Sequence, residues 1–112
     1  MKPQNADAAF ELDLAVELCL KQVNRITDEI AGSRSIVWPI LTSTFGEAKA
    51  EDLFQQIIDF EKAYFSIHPK GQQKLTLVEE LQLVKDEFLQ KFPNAPQKLV
   101  YRFGNRYAWN NR

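Results

Sequence analysis

The 112-residue sequence is poor in the side chains that most often build active sites and metal centres. It has one cysteine, Cys19, and one histidine, His68. A single cysteine excludes an internal disulfide and a cysteine-based zinc site. A single histidine leaves one imidazole for nucleophilic or acid–base chemistry, with no partner evident around it. The four glycines are scattered singly, so no glycine-rich phosphate-binding loop is present.

Long hydrophobic runs are also missing. The longest uninterrupted one, residues 36–41, is far shorter than the roughly 20 residues that a membrane-spanning helix needs. At the N-terminus Lys2 is not followed by an apolar run, which is unlike a secretory signal. We therefore expect no membrane association and a cytoplasmic location in a reducing compartment.

Acidic residues are plentiful, but no catalytic constellation accompanies them. They lie mostly between apolar positions, where they are typical of a solvated helix face, and no Glu-x-x-His pair of a di-metal bundle occurs. Asp59 and Glu61 interrupt an aromatic-rich stretch and are the two candidates for burial. Cys19 lies on an apolar row and is interpreted as a core residue. We expect no enzymatic activity, no metal and no cofactor.

The sequence does contain enough apolar material for one core. Hydrophobic residues make up 45% of the chain and aromatic residues 12%. A chain of this length fits one domain, and folding hides roughly two-thirds of the surface that the unfolded chain exposes. We expect a single helical domain over residues 1–112.

Apolar residues recur at spacings of three and four, the period of an amphipathic helix. The pattern predicts four helices, over residues 8–30, about 36–44, 48–66 and 77–92. Asp7 is predicted to cap the first helix and Gly32 to end it. Thr76 and Glu79 have the capping-box spacing that opens the last one. The buried face predicted for that helix is Leu77, Val78, Leu81, Val84, Phe88 and Leu89.

The first helix carries a second apolar row formed by Phe10, Leu14 and Leu18. A single neighbouring element cannot cover both apolar rows. This half of the helix is therefore either sandwiched between elements or part of a dimer interface, and the second row is the candidate surface for a homodimer.

Charge is distributed unevenly along the chain. Residues 1–87 hold nine cationic and fifteen acidic residues, a net charge of −6, whereas residues 88–112 hold five cations and no acid. An asymmetry of this size indicates a partner-facing segment.

The basic, aromatic-rich segment, residues 97–112, fits two structures. Two β-prone runs, residues 99–103 and 106–109, flank Gly104-Asn105, a pattern typical of a hairpin with a type II′ turn. The alternative is a short helix over residues 95–103 that Gly104 ends. The hairpin is favoured because Tyr, Phe and Trp suit a pleated surface. The expected fold is all-α, a small antiparallel bundle of three to four helices with this short hairpin packed on it.

The candidate binding residues all belong to this segment. They are Tyr101, Arg102, Arg106, Tyr107, Trp109 and Arg112. Because Tyr, Trp and Arg are enriched at binding hot spots, we expect a small non-catalytic interaction protein, a regulatory or assembly subunit that binds a protein partner through this patch.

Two other interpretations of the same residues stay open. Arginines that reach phosphate and aromatics that stack on bases also suit RNA or single-stranded DNA, although the acidic body disfavours nucleic acid. Alternatively, the aromatics pack on the bundle while the arginines pair with the acidic body, so that the domain closes on itself.

Overall fold

The computed structural model describes residues 4–68 and 75–110, with side chains from Ala8 onward, and this part of the chain is helical without strands. The helices are α1 (Gln4–Gln22), α2 (Arg34–Phe45), α3 (Glu47–Phe65), α4 (Leu77–Lys91) and α5 (Gln97–Asn110). A single 3-10 turn, Ala31–Ser33, precedes α2. The all-α prediction is confirmed. Within the described ranges, none of these helices has the length and apolarity to span a bilayer.

Helix α3 lies at the centre and contacts each of the other four helices. Its buried residues recur at three-four spacing and are Ala50, Leu53, Phe54, Ile57, Ile58, Glu61 and Tyr64. The Cα atoms extend over 47 × 36 × 16 Å. A thickness of 16 Å fits two layers of helices packed about 8–10 Å apart, so an outer helix is covered on one side only.

An aromatic cluster joins the C-terminal half of α3 to α4 and α5. The side chains of Tyr64, Phe88 and Phe103 are almost completely buried. The ring of Tyr64 lies 5.4 Å from those of Phe88 and Phe103, centroid to centroid. Tilted and edge-on ring pairs at such distances stabilise a core beyond their area burial.

The first helix ends earlier than predicted. It begins at Gln4, so Asp7 lies inside it, and it ends at Gln22 rather than near residue 30. The segment that follows, the α1–α2 connection (residues 23–33), is irregular, with bends, one turn at residues 26–27 and the 3-10 turn. Val23 and Ile30 are nevertheless buried. The apolar pattern therefore identified core residues correctly, but a loop rather than a helix carries the last of them.

Helices α2 and α3 are separated by one residue, Gly46. Its φ of 84° lies in the region that favours glycine. Its N–H donates to the carbonyl of Thr42 and its carbonyl accepts from the N–H of Ala50, both at 2.9 Å. One residue thereby ends one helix and begins the next.

Helix α2 contains Pro39 at its sixth position, beyond the first turn in which a proline is tolerated without loss of a hydrogen bond. A proline inside a helix removes the N–H that would bond the carbonyl four residues earlier, here that of Ser35. Both residues are exposed, so water can replace the missing donor.

The predicted C-terminal hairpin is wrong, because α5 is one continuous helix through Gly104. Leu99, Phe103 and Tyr107, spaced four residues apart, are all buried on one face. This packing outweighs the β-propensity of the aromatic residues and the cost of about 1 kcal/mol for a glycine inside a helix. The helical alternative named the right element but ended it too early.

Candidate functional site

The five predicted binding residues that the structure describes do not form one patch. Arg106 and Tyr107 are buried, at 7% and 8% exposure, and Arg102 is half-buried. Tyr101 and Trp109 are exposed on another side of α5. The sixth, Arg112, lies outside the described residues.

Glu61 is the centre of a buried polar cluster. Its carboxylate accepts hydrogen bonds from the backbone N–H groups of Ile30 (2.8 Å) and Ala31 (2.9 Å). It also pairs with Arg106, with 2.8 Å between Oε2 and Nη1. Of the two candidates for burial, Glu61 is buried, whereas Asp59 is exposed and accepts from Gln55. The carboxylate supplies the acceptors that a longer first helix would have supplied to these N–H groups.

Arg106 joins α5 to the same connection. Besides Glu61, its guanidinium donates to the carbonyl of Asp28 at 3.3 Å. Its central carbon lies 3.8 Å from the ring centroid of Phe65, a favourable cation–π position. The contacts described for Arg106, with Glu61, Asp28 and Phe65, are all within its own chain.

The other basic residues of α5 also contact the N-terminal part of the chain. Lys98 pairs with Glu17 of α1, and its hydrogen bond and charge hold the pKa of Glu17 below the usual value. Arg102 donates to the backbone carbonyl of Arg25 in the α1–α2 connection. Together with Arg106, three of the five cations in residues 88–112 are thus engaged within the described part of the molecule. This arrangement agrees with the third interpretation of the segment, in which its arginines bind the acidic body.

A groove of about 700 Å³ runs between α4 and α5. Its lining includes the apolar residues Tyr64, Val78, Leu81, Leu89, Val100 and Tyr101. Gly104 also lines it, and a Cβ at that position would lie 3.6 Å from the Tyr64 hydroxyl. The missing side chain keeps this part of the groove open. Lys85 is the one charged residue among the lining residues.

Val78 and Tyr101 flank the groove on α4 and α5. They are the two most exposed large apolar side chains in the described ranges, at 75% and 73%. The prediction that Val78 lies on the buried face of its helix is wrong, because α4 is an outer helix and buries only Val84 and Phe88 completely. Contiguous exposed apolar surface of this kind marks interaction sites on soluble proteins.

The proposed homodimer row is only partly exposed. Phe10 is 67% exposed, Leu14 is half-buried, and Leu18 packs against the core. Phe10 and Leu14 line a shallow depression with Phe45 at the α2–α3 junction. The homodimer stays a prediction.

The groups considered for chemistry lie in different environments. Cys19 is completely buried, so the prediction of a core cysteine is confirmed. His68 is exposed just after α3. Over residues 4–68 and 75–110 no three His, Cys, Asp or Glu side chains come together as a metal site would require.

Cys19 supplies a pH-dependent prediction. Burial raises the pKa of this thiol to about 12, and burial raises that of Tyr64 to about 12 as well. Above the unfolded-state pKa of about 8.5, the unfolded chain releases the thiol proton while the folded chain keeps it. The free energy of unfolding should therefore fall by up to about 1.4 kcal/mol per pH unit from pH 9 towards 12, and more steeply above pH 10 where Tyr64 joins.

Urea unfolding between pH 7 and 11 measures this slope. In the matched variant Cys19→Ala most of the fall between pH 9 and 10 should disappear, whatever the variant's stability at pH 7, and the smaller contribution of Tyr64 and Tyr107 should remain. Equal slopes for the two proteins would contradict the burial of the thiol.

Comparison of the chain with protein-family models, curated proteins and solved structures gives no match in any of the three.

Proposed function

We propose that the protein is a non-catalytic protein-binding module, a regulatory or assembly subunit, whose partner docks in the groove between α4 and α5. The observation that carries the proposal is the exposure of Val78 and Tyr101 on the two helices that flank one groove. The C-terminal segment contributes one wall of this site through its exposed side, and its buried side holds the fold together.

The groove has the dimensions and chemistry of a binding site. A volume of about 700 Å³ lies within the range of roughly 300–1,000 Å³ that is usual for binding pockets. Removing apolar surface from water is favourable by about 25 cal/mol per Å². A groove between two helices is also a recurring mode of peptide recognition.

Nucleic-acid binding is the less favoured function for the same segment. A phosphate-binding surface needs cations that face solvent. Arg106 is buried, and the exposed Lys98 and half-buried Arg102 already contact acceptors of their own chain. The groove lining itself offers Lys85 alone as a cation.

The proposed function is tested by truncating the two flanking side chains. We expect the double variant Val78→Ala/Tyr101→Ala to recover its partner from an extract of the producing cells at least tenfold less well than the wild type, because two apolar anchors are lost. Recovery is quantified by mass spectrometry of proteins retained on the immobilised chain.

Leu83→Ala is the matched control, since Leu83 is an exposed apolar residue of α4 that does not line the groove. It should retain the same proteins as the wild type, and all three chains should melt at similar temperatures. If no protein distinguishes the double variant from this control, the groove is not the docking site.

A further inference from the structure

We infer that the occupant of the α4–α5 groove is a short amphipathic helix that carries a carboxylate facing Lys85. The inference rests on the proposed function of the groove and specifies the class of partner. It is carried by the shape of the groove and by the charges along it.

The groove is shaped for a helix. Its lining runs on α4 from Val78 to Leu89, which at 1.5 Å per residue is about 16 Å, or three helical turns. Ridges of a third helix fit the furrow between two packed helices. A peptide that binds by strand addition would instead need an open sheet edge, and the described residues contain no strand.

The apolar lining sets the pattern expected of the occupant. Leu81, Leu89 and Val100 lie along the groove, and Val78 and Tyr101 flank it. A three-turn helix covers such a surface with apolar residues at positions i, i+3 or i+4, and i+7.

The charges favour an acidic occupant. The groove lining contains no acidic residue, and its polar members besides Lys85 are the amides Gln82, Gln97 and Asn105. Lys85 forms no ion pair with any residue in the described ranges. Its helical neighbours at three and four residues are Leu81, Gln82, Phe88 and Leu89, so no carboxylate lies at helical spacing from it on α4. The next residue, Asp86, accepts a hydrogen bond from Gln82 at 2.8 Å and does not line the groove.

The acidic character of residues 1–87 does not cancel this preference. At physiological ionic strength, charges farther away than about 8 Å are largely screened. The lining residues that a docked helix contacts therefore decide the sign of the charge that it should carry. An exposed pair of this kind sets orientation and selectivity more than affinity.

Two synthetic 14-residue peptides test the inference. Both are acetylated and amidated and have leucines at i, i+4 and i+7, and they carry either glutamates or lysines beside the leucines. In fluorescence anisotropy at about 0.15 M salt, where distant charges of the body are screened, we expect the glutamate peptide to bind the wild type about three- to tenfold more tightly. Lys85→Glu should reverse the order, and Lys62→Glu, the same charge change on an exposed residue of α3 outside the groove lining, should leave it unchanged.

Variants that fill the groove with a side chain test whether the peptide binds there. Gly104→Leu adds a side chain beside Tyr64 and uses a strong helix former, so it should abolish binding without lowering the melting temperature. Gly104→Ala adds one methyl group, and we expect it to keep binding and to raise the melting temperature by about 3–6 °C. Should Gly104→Leu unfold the chain, Val78→Ala/Tyr101→Ala replaces it.

The outcomes separate the inference from the proposed function. If both peptides bind equally well and Gly104→Leu abolishes the binding of both, the acidic character of the occupant is overturned while the groove remains the docking site. If neither peptide binds, or filling the groove changes nothing, the helical occupant is overturned, and the extract experiment decides on the proposed function by itself.

Discussion

Replacement of Glu61 by alanine is expected to lower the free energy of unfolding by about 3–5 kcal/mol, because it leaves a buried arginine without its counter-charge. Arg106 is 7% exposed, and the distance between its Nη1 and the Glu61 carboxylate is 2.8 Å. The N–H groups of Ile30 and Ala31 lose their acceptor in the same step. Since a domain of this size has a total stability of only about 5–15 kcal/mol, urea unfolding should show a large shift of the midpoint.

Glu51→Ala is the matched control, because it removes an equally short pair at the surface. Glu51 lies 2.9 Å from Arg34, with both side chains about half exposed. Exposed pairs are worth about 0–1 kcal/mol, so this variant should stay close to the wild type. Similar losses for the two variants would show that Glu61 is not buried with Arg106.

The double variant Glu61→Leu/Arg106→Leu separates the charge from the backbone bonds. It removes both charges and should recover part of the loss. Recovery should remain incomplete, since the two N–H groups of the α1–α2 connection stay without their carboxylate. A double variant as unstable as Glu61→Ala would contradict a charge-based explanation.

Phe103→Ala is expected to cost about 3–5 kcal/mol, the usual loss for a fully buried phenylalanine. Its ring is 1% exposed and lies 5.4 Å from Tyr64 and 5.6 Å from Phe65. The cavity would open in the aromatic cluster that joins α3, α4 and α5. Thermal unfolding followed by circular dichroism measures the loss.

Tyr101→Ala provides the comparison, two residues away on the exposed side of the same helix. It should change stability by no more than about 0.5 kcal/mol. A loss as large as that of Phe103→Ala would mean that α5 packs with another face inward. The pair of variants also shows that a binding defect of Tyr101→Ala is not a folding defect.

The local sequence pattern was sufficient to predict those helices whose position depends mainly on their own residues. The three-four spacing of Leu53, Ile57 and Tyr64 predicted α3 and its buried face, and the Thr76–Glu79 capping box placed the start of α4. Helical periodicity and N-terminal caps act within one or two turns. The sequence therefore contains the whole of that information. The burial of Cys19 follows from the same periodicity.

The candidate site could be predicted only in part. The sequence indicated residues 97–112 and named Tyr101 as a binding residue, but it grouped Tyr101 with Arg106 and Tyr107, which α5 turns inward. It missed the groove, because Val78 looks like a core residue in the pattern of α4. The spacing of apolar residues does not tell whether a third helix covers them.

The sequence by itself determined the mainly helical character, the helix over residues 48–66, most of the core residues and the charge asymmetry, because composition and short-range periodicity carry them. The tertiary structure decided where the first helix ends, whether residues 97–110 are helix or hairpin, and which of their arginines stay accessible. These outcomes depend on partners distant in the chain. Glu61 binds residues 30 and 45 positions away, and α5 keeps its helical form through Gly104 because α3 and α4 bury its apolar face.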